Sequence, residues 1–363
     1  MQIKPSRIYE SEEELMADKV KDEMIKNKPQ EKLINDQFGR TFDYLRISVI
    51  EHCNLRCIYC MPEDGVNFVP RSELLTSAEI QRIVKVLSQF GVKKVRFTGG
   101  EPLLRNDIIE IIKNTVRTKD IQSVHLTTNG IRLEQMAQNL RLSGLYGINV
   151  SLDTLDPDRF FKISRRRGIE HVRAGLRKTI DLDFPSIKIN MVVMKGFNED
   201  EIGRFAELTK NEQITVRFIE LMPFDAHQIW RTGHFYSAEL ILKKLHELYP
   251  KMDIVSGTAT EHYIYRIKNY KGKLAVIPSF TRSLCGACSR IRLTANGSIR
   301  NCLYSEDEHN LLKFIRDGAT DQDIAGIFKR AMWEKSRDGW EAQNKAKKDI
   351  SHRHRNSMTQ IGG

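Results

Sequence analysis

The sequence has 363 residues, of which 40% are hydrophobic and 29% charged, a composition typical of a globular protein with one large domain or two smaller ones. No apolar run approaches the roughly 18 residues of a membrane-spanning helix, and the N-terminus resembles neither a signal nor a transit peptide, so we expect a cytoplasmic protein. The net charge of +11 is compatible with solubility alone, with nucleic-acid binding, or with a cavity for a polyanionic small molecule.

The predicted elements begin after a charged arm, residues 1–38, which lacks apolar periodicity and is expected to be weakly ordered. Between 39 and 235, strand-like runs alternate with helical patterns, which indicates βα units and a parallel sheet. The six strand candidates are Tyr44–Ile50, Lys94–Thr98, Ser123–Thr128, Ile148–Leu152, Ser186–Met194 and Thr215–Met222. Helices are predicted near 76–90, 106–117, 132–143, 169–182 and 198–210, with N-caps at Thr76 and Asn198.

Six such units without a dinucleotide-binding glycine fingerprint favour an α/β fold of the partial (β/α)6 TIM-barrel type, although periodicity alone does not exclude a doubly wound sheet. The pattern changes at 236–341, an α+β region that we expect to close the barrel mouth. It contains a helix at 237–248, two hairpins, at 263–277 and around Asn296-Gly297, and helices near 308–316 and 321–337. A basic tail, 342–363, ends in Gly362-Gly363.

All six cysteines fall into two groups of three. Cys53, Cys57 and Cys60 lie within eight residues, and three such thiols can hold three irons of a cubane cluster while the fourth iron stays open to a small molecule. The second group is Cys285, Cys288 and Cys302. A zinc site completed by His309 and a thioredoxin-like C-x-x-C are alternatives, but the first matches no strong spacing pattern and the second leaves one cysteine unexplained.

Polar or small residues follow four of the predicted strands, and several strands carry cations. Ligands bind at the carboxyl ends of parallel strands, so we expect these turns, 98–102, 127–130, 151–153 and 220–223, to surround the Cys53 loop. A single strand lysine usually reaches water from an edge, whereas several cations inside one barrel need an anionic partner. The strand cations are Arg46, Lys94, Arg96, Lys188, Arg217, Arg290 and Arg292, and they predict a polyphosphate site.

Two motifs carry a resemblance to a known superfamily. Cys53-x3-Cys57-x2-Cys60 with the aromatic Tyr59 is similar to the cluster motif of the radical S-adenosylmethionine (SAM) superfamily, and Thr98-Gly-Gly-Glu-Pro102 resembles its second signature. Together with the second cysteine group, Arg290/Arg292 and the Gly-Gly terminus, they resemble one family, GTP 3′,8-cyclase (molybdenum cofactor biosynthesis protein A). The likeness runs from about Gly39 to Gly363; the N-terminal arm lies outside it, and the basic stretch Lys345–Arg355 departs from a compact member.

The resemblance implies roles for the matching residues. Cys53, Cys57 and Cys60 would ligate a radical-generating [4Fe–4S] cluster whose open iron binds SAM, and Cys285, Cys288 and Cys302 a second [4Fe–4S] cluster whose open iron binds the guanine of GTP. The implied SAM contacts are Tyr59, Gly100, Ser151 and Met222. The implied GTP contacts are Arg46, Arg96, Thr127, Lys188, Arg217, Arg290 and Arg292. Gly362 and Gly363 would enter the active site; the alternative is a frayed terminus.

The implied reaction is the conversion of GTP to (8S)-3′,8-cyclo-7,8-dihydroguanosine 5′-triphosphate, the first step of molybdopterin (molybdenum cofactor) biosynthesis. A 5′-deoxyadenosyl radical would abstract the ribose C3′ hydrogen, and the C3′ radical would attack guanine C8. The implied partners are a flavodoxin or ferredoxin as electron donor, cyclic pyranopterin monophosphate synthase as the next enzyme, and a second copy of the chain in a homodimer. No membrane or nucleic-acid partner is expected.

Two other hypotheses fit parts of the sequence. A peptide- or RNA-modifying SAM enzyme with an auxiliary cluster would also have six grouped cysteines, but it does not account for Arg290/Arg292 and the terminal glycines. A zinc-bearing nucleic-acid-binding protein would suit the net charge and the C-x2-C pair. It is disfavoured because the candidate cations lie on strand interiors and not on an exposed patch interleaved with aromatic residues.

Overall fold

The computed structural model describes residues 33–222, 233–255, 263–281, 284–305, 309–346 and 357–361. Most of the predicted N-terminal arm, Pro223, most of the basic tail and Gly362-Gly363 lie outside these residues. The chain divides into two units, Met1–Leu33 and Ile34–Gly363, and the fold described below belongs to the second. None of the helices in the described part of the chain has the length and apolar character needed to cross a membrane.

The described strands form one twelve-stranded sheet in the order β12-β11-β10-β1-β2-β3-β4-β5-β6-β9-β8-β7. The neighbours from β10 through β1–β6 to β9 are all parallel, whereas the outer pairs on each side are antiparallel. The strands are β1 Tyr44–Ser48, β2 Lys94–Thr98, β3 Ser123–Thr128, β4 Gly147–Ser151, β5 Ser186–Val193, β6 Thr215–Glu220, β7 Met252–Val255, β8 Tyr263–Ile267, β9 Lys273–Ile277, β10 Arg290–Leu293, β11 Ser298–Arg300 and β12 His309–Asn310.

Ten α-helices are described, and the first six connect the strands β1 to β6 of the parallel sheet. They are α1 Ser77–Ser88, α2 Ile108–Val116, α3 Leu133–Leu142, α4 Pro157–Ser164, α5 Ile169–Asp181, α6 Ile202–Glu207, α7 Ala238–Leu248, α8 Leu311–Arg316, α9 Asp321–Trp333 and α10 Gly339–Ala346. Apolar residues of these helices pack on one side of the sheet and form the main core with fully buried strand residues such as Leu45, Phe97 and Ile148. The opposite side of the parallel strands is therefore left for polar residues.

The predicted α/β class and the six barrel strands, side by side in chain order, are confirmed. The sheet is open, because β12 and β7 are its two edges and do not pair with each other. The C-terminal region extends the parallel sheet at both edges, because β10 pairs with β1 and β9 pairs with β6, each in parallel. Both predicted hairpins, β8–β9 and β10–β11, are present. Each covers an otherwise unpaired edge of the barrel strands.

The two predicted helix caps have different outcomes. Thr76 forms the expected capping box with Glu79. Asn198 forms no side-chain cap, so that prediction was wrong. Its amide instead accepts a bond from Met194 N and donates to Asp153 O and Val192 O. These bonds tie together two strand ends of the parallel sheet, and the competing backbone partners explain why the cap is not made.

Candidate active site

One cavity of about 340 Å³ lies on the polar side of the parallel strands and reaches their carboxyl ends. It is lined by the first cysteine group, by the four residues predicted to contact SAM, and by the seven predicted to contact GTP. These residues are Cys53, Cys57, Cys60, Tyr59, Gly100, Ser151, Met222, Arg46, Arg96, Thr127, Lys188, Arg217, Arg290 and Arg292. The fold therefore brings together residues spread over 247 positions of the sequence, from 46 to 292.

The first cysteine group lies on the loop after β1. Cys53 is buried, and its Sγ accepts bonds from Leu55 N at 3.4 Å and from Asn129 Nδ2 at 3.8 Å. Burial raises the pKa of Cys53 to about 11 and of Cys60 to about 12. A thiolate at these positions needs a strong positive charge beside it, which a bound metal supplies. The donor set and its N–H···S bonds fit an iron–sulfur cluster.

A Gly-Gly turn after β2 supports this loop from behind. A Cβ on Gly99 would lie 2.3 Å from Ile50 O, and one on Gly100 2.3 Å from Glu51 O and His52 O. Gly99 also has φ +148°, a backbone conformation that side chains disfavour. The glycines thus allow close approach to the protein's own backbone just before Cys53, while the same turn lines the cavity.

The acid of the same turn, Glu101, is fully buried and joins two strand ends. Its carboxylate accepts bonds from Leu103 N at 3.0 Å, Thr128 Oγ1 at 2.7 Å and Asn129 N at 2.7 Å. Burial raises the pKa of Glu101 to about 7 despite these three bonds, which lower it. Since Asn129 also bonds Cys53, Glu101 positions the cysteine loop through its neighbours.

The aromatic residue of the cysteine motif is also held by a buried acid. Tyr59 Oη donates to Asp153 Oδ2 at 2.6 Å, and Asp153 Oδ1 accepts from Val192 N at 2.8 Å. Burial raises the pKa of Asp153 to about 6. The pair fixes the Tyr59 ring at the cavity wall. The motif Ser151-Leu-Asp153 had been interpreted only as a strand end, so this positioning role was missed.

The cations are arranged in rows across adjacent strands. Arg292, Arg46 and Arg96 are register partners on β10, β1 and β2. One pleat away, Arg290, Tyr44 and Lys94 are register partners on the same three strands. Side chains two positions apart point to the same face, so both rows face the cavity. The sequence pattern could show this alternation within β2, but not the alignment between strands.

Two buried side chains report the positive potential of these rows. Burial alone raises the pKa of Tyr44, but Arg96 and its neighbouring cations overcome this effect and lower the pKa to about 7. The pKa of His125 falls to about 2, because burial and then Arg96 and other cations oppose its protonation. For Arg46 the pKa lies well below its ordinary value, through burial and then the Arg292 charge. No Asp or Glu is among the described residues that line the cavity.

At the cavity wall, Arg290 Nε and Asn149 Oδ1 are buried without a hydrogen-bond partner among the described residues. Buried donors and acceptors are nearly always satisfied. One donor on a cation and one amide acceptor therefore suit a ligand that has both anionic and hydrogen-donating groups. Asn149 was not predicted; it lies in register between Thr127 and Lys188, a position that only the strand pairing reveals.

The second cysteine group lies at the other end of the β1–β10 pair. Cys285 and Cys288 precede β10, and Cys302 follows the antiparallel β11, so all three belong to the amino end of β10. Arg40, which forms an ion pair with Asp36 at 2.5 Å, donates to Cys285 O at 3.0 Å and fixes this loop. These cysteines do not line the cavity, but their neighbours Arg290 and Leu303 do.

Two thiols of this group, Cys285 and Cys288, also have perturbed pKa values. Burial and then the charges of the other two cysteines raise the pKa of Cys285. The pKa of Cys288 is lowered to about 7, because Lys335 and then Arg290 outweigh the effect of burial. Three thiols with mutual electrostatic effects beside fixed cations fit a second anionic cluster.

The zinc alternative gains no support. His309 Nε2 lies 3.2 Å from Glu334 Oε2 but forms no hydrogen bond with the described residues. Over the residues that the structure describes, no three His, Cys, Asp or Glu side chains lie close enough together to hold a single metal ion. Cubane thiols bind separate irons and need no such convergence.

A segment near the C-terminus completes the cavity wall. Met358 and Thr359 line it, and Met358 N donates to Cys60 O at 3.1 Å. A short 3-10 turn, Met358–Gln360, is capped by Ser357. The predicted Gly362 and Gly363 lie outside the described residues, but the chain just before them is at the cysteine loop.

Two family models match adjacent parts of the chain: Radical SAM superfamily over residues 47–209 and Molybdenum Cofactor Synthesis C over 214–340. A solved structure, Streptococcus suis SuiB bound to S-adenosylmethionine, has a TM-score of 0.56 at 16% identity, covering 88% of this chain and 74% of that one. At this identity the likeness supports the fold alone.

Full-length relatives are more similar in sequence. "GTP 3′,8-cyclase" of Chlorobaculum tepidum is 38% identical, with 94% of this chain and 100% of that protein aligned. "GTP 3′,8-cyclase" of Desulforamulus reducens is 39% identical over 90% of this chain and 99% of that protein. The human "Molybdenum cofactor biosynthesis protein 1" is 40% identical over 85% of this chain and 49% of its own length. By this likeness along its whole described fold, the chain belongs to the GTP 3′,8-cyclase family of the radical SAM superfamily.

Proposed function

We propose that this chain converts GTP to (8S)-3′,8-cyclo-7,8-dihydroguanosine 5′-triphosphate, the first step of molybdopterin biosynthesis. The family supports the reaction class. The observation that carries the proposal is the cavity itself: a three-cysteine loop at one end, two rows of cations along its wall, and no carboxylate among its described lining residues. A nucleoside triphosphate is the ligand class that such a wall suits.

Cys53, Cys57 and Cys60 would hold the first [4Fe–4S] cluster, with SAM beside it. When bound, this pair supplies a 5′-deoxyadenosyl radical, which takes the ribose C3′ hydrogen and so allows C3′ to bond guanine C8. Tyr59, Gly100, Ser151 and Met222 would contact SAM, and each lines the cavity. Buried Asp153 holds the Tyr59 hydroxyl, so this contact is positioned before SAM arrives.

The seven residues proposed to contact GTP would bind it through their positive charges and through hydrogen-bond donors oriented toward the ligand. Arg96 donates to Tyr44 Oη and, at 3.2 Å, to Thr127 Oγ1, and Arg217 donates twice to Asn190 Oδ1, at 2.8 and 2.6 Å. Guanidinium groups held by side-chain oxygens keep their remaining N–H groups aimed at a ligand. The cations Arg46, Lys188, Arg290 and Arg292 would neutralise the triphosphate.

Cys285, Cys288 and Cys302 would hold a second [4Fe–4S] cluster that binds the guanine end of GTP. Its place at the amino end of β10, with the first cysteine loop at the carboxyl end of β1, supports a substrate that spans the cation rows between them. We also propose the division into an arm (1–38), a barrel (39–235), a cluster-bearing region (236–341) and a tail (342–363). Gly362 and Gly363 would reach the active site, which the position of Met358 supports.

The test is anaerobic reconstitution with iron and sulfide, followed by incubation with GTP, SAM and dithionite. We expect the cyclised nucleotide by mass spectrometry and 5′-deoxyadenosine whose formation depends on GTP. Deoxyadenosine formed equally without GTP, and no cyclised product, would contradict the proposal and point to another substrate. Colourless protein that contains zinc would contradict the cluster assignment itself.

A further inference from the structure

A basic surface covers the outer side of the first cysteine loop. It comprises the end of α4 and the turn after it, and we call it the α4 basic surface: Phe161, Lys162, Arg165, Arg166 and Arg167. All but the half-buried Arg165 are exposed. The stretch 161–169 contains these four cations and no acid. None of these residues lines the substrate cavity.

This surface is bonded directly to the backbone of the cysteine loop. Arg56 N donates to Ser164 O and Ile58 N to Ile163 O, each at 2.9 Å. The Arg165 guanidinium donates back to Arg56 O at 3.0 Å and to Met61 O at 3.2 Å. The bonded residues alternate with or flank the cysteines at 57 and 60. Only a few bonds therefore separate the α4 basic surface from two of the three thiols.

The turn that carries the surface is held in a strained conformation. Arg165 ends α4 with φ 53° and ψ 21°, the left-handed region that glycine usually occupies at a helix end. A residue with a side chain is disfavoured in this conformation. The two bonds from its guanidinium to the cysteine loop offset that strain. As a result Arg166 and Arg167 are presented outward from a fixed turn and not from a loose loop.

The outer cations remain available to a partner. Within the described part of the chain, Lys162, Arg166 and Arg167 form no salt bridge, and the one acid paired with the surface is the exposed Glu63, 3.8 Å from Arg165. Arg167 lies over the Phe161 ring at 5.3 Å, and that ring is 45% exposed. Arginine and exposed aromatic residues are the types enriched in protein interfaces.

We propose that the α4 basic surface docks an acidic one-electron carrier protein, which gives one electron to the cluster held by the Cys53 loop. This inference rests on the proposed function, because cleavage of SAM consumes one electron that the chain's substrates do not supply. The carrier is oxidised by one electron and the cluster reduced by one. Complementary charge steers such encounters and suits the small, transient interfaces of electron-transfer proteins. Nucleic acid is disfavoured, since the cations form one short turn beside the cluster loop.

The first arm of the test measures binding without any catalysis. The reconstituted enzyme, without GTP, SAM or reductant, is titrated with an oxidised flavodoxin, an acidic flavin protein, and the dissociation constant is measured at two salt concentrations. The variant Arg166→Glu/Arg167→Glu should bind at least about tenfold more weakly, and the wild-type affinity should fall as salt rises. The matched control, Lys243→Glu/Arg266→Glu, reverses two exposed cations elsewhere and should bind as wild type. Equal binding by both variants would overturn the proposal, as would tighter binding of a random DNA duplex than of flavodoxin.

The second arm separates docking from chemistry in the reconstituted enzyme. With reduced flavodoxin as donor, GTP-dependent deoxyadenosine formation should fall about tenfold in the Arg166→Glu/Arg167→Glu variant, whereas with dithionite it should equal wild type. An equal loss with both reductants would overturn docking in favour of a structural role. The milder Arg166→Gln/Arg167→Gln variant should show an intermediate loss with flavodoxin only. If wild-type enzyme with dithionite does not cyclise GTP, the proposed function fails. The binding measurements still show whether the α4 basic surface docks flavodoxin.

Discussion

Arg290 combines two features that suit a cation that binds an anionic ligand. Its Nε is buried without a hydrogen-bond partner among the described residues, and it is the register partner of Tyr44, whose lowered pKa reports the local positive potential. Arg290→Ala should therefore spare cluster assembly and weaken GTP binding by about tenfold or more, since a charge-assisted contact is lost. Iron content and GTP affinity, measured on the same preparation, check this.

The matched control for that change is Arg266→Ala, an exposed arginine on β8. It removes the same side chain from the surface and should leave GTP affinity unchanged. Unaltered GTP affinity in the Arg290→Ala variant would refute its assigned role. A loss of iron in that variant would instead assign Arg290 to the neighbouring Cys288, whose pKa it helps to lower.

Glu101 offers a prediction about pH. Its ordinary pKa is 4.5, and burial raises it to about 7 in the folded chain. Between these values the unfolded state binds fewer protons, so Glu101 lowers the free energy of unfolding as pH rises through this window, by up to about 3 kcal/mol. Glu101→Gln cannot ionise and lacks this slope. Urea unfolding of the cluster-free chain measures this effect. The free energy of unfolding of the wild type should exceed that of the variant by more at pH 5 than at pH 7.5.

The same experiment has a control on the surface. Glu170 is exposed on α5, where it pairs with Arg173 at 3.0 Å, and Glu170→Gln should change stability equally little at both pH values. A difference between wild type and Glu101→Gln that does not vary with pH would contradict the raised pKa of Glu101. At pH 5, the free energy of unfolding that Glu101→Gln loses relative to wild type measures the hydrogen bonds of the Glu101 carboxyl, because the glutamine amide nitrogen faces a donor.

At the residue scale, chemistry that depends on one element was predictable and chemistry that depends on pairing was not. The cysteines, and the alternation of Lys94 with Arg96, follow from spacing within a single segment. Asn149, and Asp153 as the partner of Tyr59, were missed because their neighbours come from other strands or loops. The alignment of three arginines across β10, β1 and β2 needs a register that no local pattern contains.

At the element scale, the first βα units were predicted to within about two residues, because apolar periodicity and cap chemistry agree there. Helix α4 was missed, since its eight residues, opening with Pro157, are too few for a clear period. The hairpins β8–β9 and β10–β11 were predicted, but their parallel pairing with the barrel edges was not. This pairing joins strands that are far apart in the sequence and covers a sheet edge that would otherwise be exposed. The local residue pattern of a hairpin contains no information about either.

The C-terminal turn Met358–Gln360 gives a prediction for one element. Met358 is the first residue of the turn, where proline is tolerated, so Met358→Pro removes chiefly the N–H that donates to Cys60 O. Loss of that bond, worth about 1 kcal/mol, should speed amide exchange in residues 357–361 about fivefold. Met358→Ala retains the N–H while it shortens the side chain. Equal exchange in both variants would show that side-chain packing, not this bond, holds the turn.

At the scale of the whole molecule, the two cysteine groups lie at opposite ends of one strand pair. Tyr44 at the start of β1 bonds Ser289, next to Cys288, whereas Cys53 follows the other end of β1. Five residues of strand span roughly 16 Å, and the arginine rows occupy that interval. The strands that hold the substrate cations thus also fix the distance between the two groups, which explains why the C-terminal region extends the sheet from β1.

This separation predicts that the two clusters assemble independently. Reconstituted wild-type chain should be brown and contain about eight irons, and Cys302→Ala about four, because one cubane is lost and the other lies a strand length away. The Cys302→Ala variant should still cleave SAM slowly with dithionite but form no cyclised GTP, since it lacks the cluster that would bind the guanine of GTP. Cys57→Ala, the matched change in the first group, should also lose about four irons yet cleave no SAM. If Cys302→Ala lost all iron, the groups would form one interdependent site, and the strand pair would not be the spacer inferred here.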